Sequence, residues 1–251
     1  MFRIVFISYN EPNADVNWEL LKTRYPDALR LHGVRGIHNA HKAAAENLLI
    51  LKSYTDSLVT ENKKICDQYR DDPFSYSHFW VVDGDSTIED DFNFERPDDL
   101  WDDAVYVYKS KNPANGLTYG YGGIKLLPIL KTIDYNHKSL DMSTSISENF
   151  FLVDRIANTT NFNSDPFNAW KSAFRECVKL SVNTDAESLD RLNAWCTLNI
   201  DVPFGEQIYL GATTGREYGT FYSNNPDALQ KINDFNWLTT TYGNSFNQRS
   251  K

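Results

Sequence analysis

The chain opens on Phe2 to Ser8, a segment rich in β-branched and aromatic residues with a continuous apolar run, which stops at the turn-formers Tyr9-Asn10-Glu11-Pro12-Asn13. Continuous apolar character with an abrupt polar stop predicts a strand covered on both faces. Asn17 to Arg24, carrying Trp18, Leu20 and Leu21 ahead of Pro26, predicts a short helix, and Ala28 to Val34 a second strand ending at Gly33 or Gly36. From Ile37 to Leu58 the alanines Ala40, Ala43, Ala44 and Ala45 and the leucines Leu48, Leu49, Leu51 and Leu58 recur with helical spacing in strong helix formers. Another helix is expected from Thr60 to Tyr69, and His78 to Val82 reads as a short apolar strand that runs into Asp83-Gly84-Asp85.

Beyond it, Ala104 to Tyr108 predicts a strand, Tyr119 to Gly123 a glycine-broken one, and Ile124 to Thr132 an apolar segment of helical character in spite of Pro128. Asp165-Pro166 opens a helix to Leu180, with Asp165 as N-cap and Phe167, Trp170, Phe174 and Val178 as its apolar stripe. Helices near Ala186 to Trp195 and Pro226 to Trp237 complete the map. Alternating strands and helices predict an α/β fold, a mainly parallel central sheet flanked by helices.

Composition narrows this picture little. The 251 residues are 41 % hydrophobic and 24 % charged, ordinary for a globular protein, and no Pro/Gly/Ser-rich linker divides them, so one domain spanning 1–251 is expected. The net charge of −9 opposes non-specific binding to a phosphate backbone, and the acidic runs Glu89-Asp90-Asp91 and Asp98, Asp99, Asp102, Asp103 read as solvated surface. Cys66, Cys177 and Cys196 are far apart and lack metal or disulfide spacing, which points to a reducing compartment. Neither a signal peptide nor a membrane-length apolar run is evident, so a cytoplasmic protein with no membrane partner is expected.

The chemistry concentrates at Asp83-Gly84-Asp85. In an open α/β sheet ligands bind beyond the carboxyl ends of strands, which is where these acids fall. Two hard oxygen donors flanking one small residue can converge on a divalent cation that also takes diphosphate oxygens. The same three residues also make an ordinary turn, since Asp and Gly favour turns for local reasons.

Taken together, the strand entering the Ser8-Tyr9-Asn10-Glu11-Pro12 loop, the helix after strand two, the acid pair after a later strand and Gly122-Gly123 some forty residues on resemble glycosyltransferases of the GT-A fold, the nucleotide-diphospho-sugar transferase type. The resemblance covers residues 1 to about 180. The segments His32 to Ala45 and Phe162 to Cys177 are similar in texture to glycosyltransferases of T-even-like tailed phages, some of which decorate hydroxymethylcytosine in DNA. This implies a hexosyl- or pentosyltransferase that takes a nucleotide-diphosphate sugar, UDP-sugar first, with Mn²⁺ or Mg²⁺ on Asp83 and Asp85. It also implies an acceptor hydroxyl that includes hydroxymethylated DNA, acting in the host cytoplasm if the chain is phage-encoded. The nucleotide-sugar half would span about 1–110 and the acceptor half about 111–251.

The resemblance further assigns Ser8, Tyr9, Asn10, Glu11, Arg35, His38, His41 and Asp83 to the donor, and Gly122, Gly123 and Lys125 to the acceptor strand. Asp165 is the expected general base, with Glu148 next, although Asp165 is equally explained as a helix N-cap. The Glu-Asp pair of many such enzymes is absent, which leaves the inverting or retaining outcome open; His137 is a candidate third metal ligand. Gly211-Ala212-Thr213-Thr214-Gly215-Arg216-Glu217-Tyr218 reads as a turn-rich loop able to close over a diphosphate. A glycan or lipid-linked acceptor, a nucleotidyltransferase, and a non-catalytic binding or virion protein on the same scaffold are the competing readings.

Overall fold

A computed structural model describes residues 1–61, 75–120, 122–136, 139–183 and 185–247. The amino-terminal unit follows the apolar pattern: β1 (Phe2–Ser8), α1 (Ala14–Arg24), β2 (Leu29–His32) and the long Ala-rich α2 (Ile37–Glu61). The helix expected at Thr60 to Tyr69 lies almost wholly outside the described residues. Next come β3 (Ser75–Asp83), β4 (Ser86–Ile88), β5 (Val105–Lys111), β6 (Thr118–Tyr119), β7 (Ile124–Pro128), α3 (Ile129–Asp134) and β8 (Phe150–Thr160). Ile124 to Pro128 is thus a strand, and only the residues after Pro128 are helical. The carboxyl-terminal part is helical: α4 (Pro166–Ser181), α5 (Ala186–Trp195), α6 (Gly205–Phe221), α7 (Pro226–Gln230), a 3₁₀ turn (Lys231–Asn233) and α8 (Phe235–Asn247).

The strands form one sheet in the order β2-β1-β3-β7-β5-β8-β4, with β6 paired to β5. The class is α/β, but the sheet is mixed rather than mainly parallel: β1–β2, β1–β3 and β5–β8 are parallel, while β3–β7, β4–β8, β5–β6 and β5–β7 are antiparallel. The short path from Lys111 to Ile124 spends its described residues on β6 and turns, and a chain that returns without a helical crossover enters beside its neighbour antiparallel.

Both faces of the sheet are covered, which is why β1 and β3 carry the apolar runs Ile4 to Ile7 and Phe79 to Val82. One face, with Phe2, Ile4, Phe6, Trp80, Val82 and Leu126, packs on Phe92, Phe94 and α1; the other, with Val5, Phe79, Val81, Val107 and Leu127, packs on α2 and α3. Trp80 is fully buried core, and the Tyr119 hydroxyl accepts from Trp195 Nε1 at 3.1 Å.

α4 and α6 touch backbone to backbone. A Cβ on Gly211, Gly215 or Gly219 would lie 2.3 Å from Trp170 O, 2.4 Å from Phe174 O or 2.7 Å from Val178 O respectively. The glycine-rich run expected to be a loop over a diphosphate is therefore a helix interior. Its glycines recur every fourth residue because that stripe must admit the neighbouring helix.

Candidate functional site

Ile7 of β1 is paired in register with Asp83 of β3, so the Ser8–Glu11 loop and the Asp83-Gly84-Asp85 turn leave the sheet side by side. Gly84 fills the seam between them: a Cβ there would stand 2.9 Å from Ser8 Cβ and 3.0 Å from Glu11 Oε2. The turn is fixed by three further bonds. Asn17 Nδ2 donates to Gly84 O at 2.9 Å, Asn161 N to Asp85 O at 2.8 Å, and Asp83 N to Gly123 O at 2.9 Å.

Three carboxylates meet here. Glu11 Oε2 accepts from Tyr9 N at 2.8 Å, which folds the Glu11 side chain back towards the turn. Burial raises the Asp83 carboxyl above its usual range, outweighing the buried Lys125, whose Nζ donates to both Asp83 oxygens (2.9 and 3.1 Å) and to Gly122 O (2.6 Å). Asp85 is pushed up to about 7, by burial first and then by the charges of Asp83 and Glu11. Such crowding of oxygen donors is the environment a hard divalent cation relieves. Asp85 and Glu11 would hold it, with Asp83 alongside sharing its oxygens with Lys125. Among the described residues no three acids, His or Cys stand at full metal-ligand spacing.

Opposite the acids lies the polar face of α4. Lys171, Arg175 and Lys179 recur every fourth residue and so project from one stripe that spans about 12 Å at 1.5 Å per residue. Lys171 feels Glu11, Asp85 and Asp165; burial, then Arg175, lowers its ammonium pKa. It donates to Asn168 Oδ1 at 2.6 Å and sits 5.6 and 5.8 Å from the rings of Phe167 and Phe235. The Arg175 charge reaches Asp83, and Lys179 pairs with Asp141 (3.1 Å) and Glu176 (2.9 Å).

Of the residues expected on the donor side, Ser8 and Glu11 lie against the Asp83–Asp85 turn. Ser8 is buried, with its hydroxyl 3.0 Å from His32 Nδ1 and receiving Arg30 Nε at 3.3 Å. Tyr9 meets Phe235, the first residue of α8, edge to face at 5.4 Å, whereas Asn10 is exposed. Arg35 binds Asn236 Oδ1 and lies 5.9 Å from the Phe235 ring, which ties the loop before α2 to α8. His38 packs on Tyr135. His41 is buried, with Nδ1 2.7 Å from Ile37 O and Nε2 without a hydrogen-bond partner among the described residues, and burial then Lys125 holds its pKa well below the ordinary value.

The acceptor-side expectations fare differently. Gly123 is not a gap for a ligand, because Asn158 Nδ2 and Ser86 Oγ already stand 2.5 and 2.7 Å from where its Cβ would be. Gly122, at φ +83°, has among the described residues only Ser143 Oγ, at 3.9 Å, within reach of a Cβ. Lys125 faces Asp83 rather than an open strand. Asp165 is the N-cap of α4, one carboxylate oxygen accepting Asn168 N at 2.8 Å and the other Asn168 Nδ2, so its lone pairs serve the helix. Glu148 is exposed and lines a cavity of about 460 Å³ with Asp103 and Lys131, beside the start of β5 and away from Asp83. Tyr121 and His137 lie outside the described residues.

Sequence reasoning passed over Lys171, Arg175 and Lys179, although their four-residue spacing along the border of the Phe167, Trp170, Phe174 and Val178 stripe is legible. It also passed over Asn17 and Asn161, whose roles depend on contacts between distant segments. Comparison of the chain with protein-family models, with curated proteins and with solved structures gave no match.

Proposed function

We propose that the protein is a metal-dependent glycosyltransferase that moves a sugar from a nucleotide-diphosphate donor to an acceptor hydroxyl. The observation that supports this reading is the facing arrangement of Glu11, Asp83 and Asp85 with Lys171 and Arg175 of α4. A site with acids alone suits a cation, and one with cations alone suits a phosphate. Both together suit a diphosphate that carries its own divalent ion.

In this reading the Ser8–Glu11 loop and the Tyr9 ring receive the nucleoside. Lys171 and Arg175 take the diphosphate oxygens and stabilise the charge that grows there as the sugar–phosphate bond breaks. Asp85 and Glu11, beside Asp83, would hold Mn²⁺ or Mg²⁺, which would supply further charge neutralisation to that leaving group. Lys125 keeps Asp83 in place and prevents its carboxylate from repelling the donor. UDP-sugars are the first donors to test, and glycans and hydroxymethylated DNA the first acceptors.

The test is a thermal-shift screen of nucleotide-sugars with and without Mn²⁺. A ligand present at 100 Kd stabilises by about 2.7 kcal/mol, which raises Tm by roughly 5–11 °C in a chain of this size. Release of nucleoside diphosphate identifies sugar transfer, whereas pyrophosphate release identifies nucleotidyl transfer. No shift with any nucleotide-sugar in the presence of Mn²⁺ or Mg²⁺ overturns the reading.

A further inference from the structure

Far apart in sequence, Cys177 and Cys196 are neighbours in the helical core. Cys177 lies on α4, fully buried, and Cys196 caps the end of α5, partly exposed. Both pack in one cluster with Phe162, Leu192 and Trp195, near enough for the Cys177 thiol to serve as a donor towards the Cys196 sulfur. The guanidinium of Arg216, from α6, acts on both sulfurs. A pair of thiols in one core cluster, one member reachable from solvent and one sealed in the core, is the arrangement of an attacking and a resolving cysteine.

We propose that Cys196 and Cys177 form a hydroperoxide-responsive pair that closes a reversible disulfide between α4 and the end of α5. In the first step the Cys196 thiolate attacks one oxygen of hydrogen peroxide. A sulfur–oxygen bond forms as the oxygen–oxygen bond breaks, and the departing hydroxide takes a proton to leave as water. In the second, the Cys177 sulfur attacks the Cys196 sulfenic acid. The disulfide forms, the sulfur–oxygen bond breaks, and the Cys177 proton leaves with the hydroxide as a second water. The two thiols lose two electrons, and one peroxide becomes two waters.

The two environments suit these roles. The hydrogen bond from Cys177, helped by Arg216 against the effect of burial, brings the Cys196 thiol down to about 7, so thiolate is present at neutral pH. Burial pushes the Cys177 thiol well up, so it remains a thiol until a sulfenic acid forms beside it. A reducing compartment reopens the bridge. Because Cys177 stands between Arg175 and Lys179 on α4, the bridge pins the helix that carries the cation stripe.

The experiment treats the reduced protein with hydrogen peroxide, counts thiols after denaturation and maps the peptides. The reduced chain titrates three thiols. The treated chain is expected to titrate one, to yield a peptide joining Cys177 to Cys196, and to recover all its thiols with a thiol reductant. The Cys177→Ser variant should stop at a Cys196 sulfenic acid that dimedone captures, and Cys196→Ser should leave Cys177 unoxidised. Retention of all thiols by the treated wild type, Cys196 oxidised to sulfonic acid without a bridge, or a bridge that uses Cys66 overturns the proposal.

Discussion

Replacing Gly211 by alanine sets two effects of opposite sign against each other. In a helix interior alanine is favoured over glycine by about 1 kcal/mol, so the substitution should stabilise wherever there is room. At Gly211 there is none, because the new Cβ would lie 2.3 Å from Trp170 O and 3.0 Å from Trp170 C and Cα. Ordinary contact distances require α6 to retreat from α4 by about 1 Å, and a gap of that size forfeits up to half of each nearby dispersion contact. Overpacking typically costs about 1–3 kcal/mol and more where backbone must move, so a net loss of about 2 kcal/mol remains after the propensity gain. At roughly 2–4 °C per kcal/mol, Tm falls by about 4–8 °C.

Gly243 of α8, which has nothing within 4 Å of its Cβ position, is the internal control, and Gly243→Ala should raise stability by about 0.5–1 kcal/mol. Urea and thermal unfolding of the two variants side by side give the comparison. If Gly211→Ala raises Tm as Gly243→Ala does, the close α4–α6 seam is wrong. The seam also governs the site, because α4 carries Lys171 and Arg175, so donor affinity should weaken in Gly211→Ala and not in Gly243→Ala.

Asp85→Asn should raise Tm, since it removes a carboxylate crowded by burial, Asp83 and Glu11, while sugar transfer assayed with Mn²⁺ or Mg²⁺ falls to background; full turnover in this variant removes Asp85 from the site. Lys171→Met, which keeps the apolar stem between Phe167 and Phe235, should weaken donor binding by calorimetry about tenfold, or ~1.4 kcal/mol, and unchanged affinity places the diphosphate elsewhere. Burial raises the Asp141 carboxyl, but Lys179, Thr144 N and Lys125 together hold it below its usual value, so it contributes stability that is present above the unfolded carboxylate pKa and lost as pH falls through the folded one. A Tm–pH series on the acid side should therefore fall less steeply for Asp141→Asn than for wild type, and parallel curves refute the pairing.

The candidate site was legible where the chemistry is local. The acid pair ends a strand whose apolar run gives its direction, and the Ser8–Glu11 loop ends the strand beside it. Lys171, Arg175 and Lys179 stand at readable spacing, but nothing local says that this stripe faces the acids rather than water. Asp165 shows the reverse case: its sequence context, ahead of Pro166, allows either a base or a cap, and it is the bonds to Asn168 that show it capping α4.

What the sequence determined by itself was the class of each strongly periodic element: β1, α2, β3, α4 and α5 follow from apolar spacing, turn-formers and caps, which act over a few residues. What only the tertiary structure decided depends on segments meeting across long separations. The sheet is mixed because the chain returns through β7 without a helical crossover. The Gly211, Gly215 and Gly219 run is helical because α4 packs against it backbone to backbone, overriding the preference of glycine for turns. Lys125 belongs to Asp83 rather than to an acceptor because β7 enters beside β3. Local pattern sets the conformation of each segment, whereas the partners of a buried charge are set by the register and packing of other segments, which no local window contains.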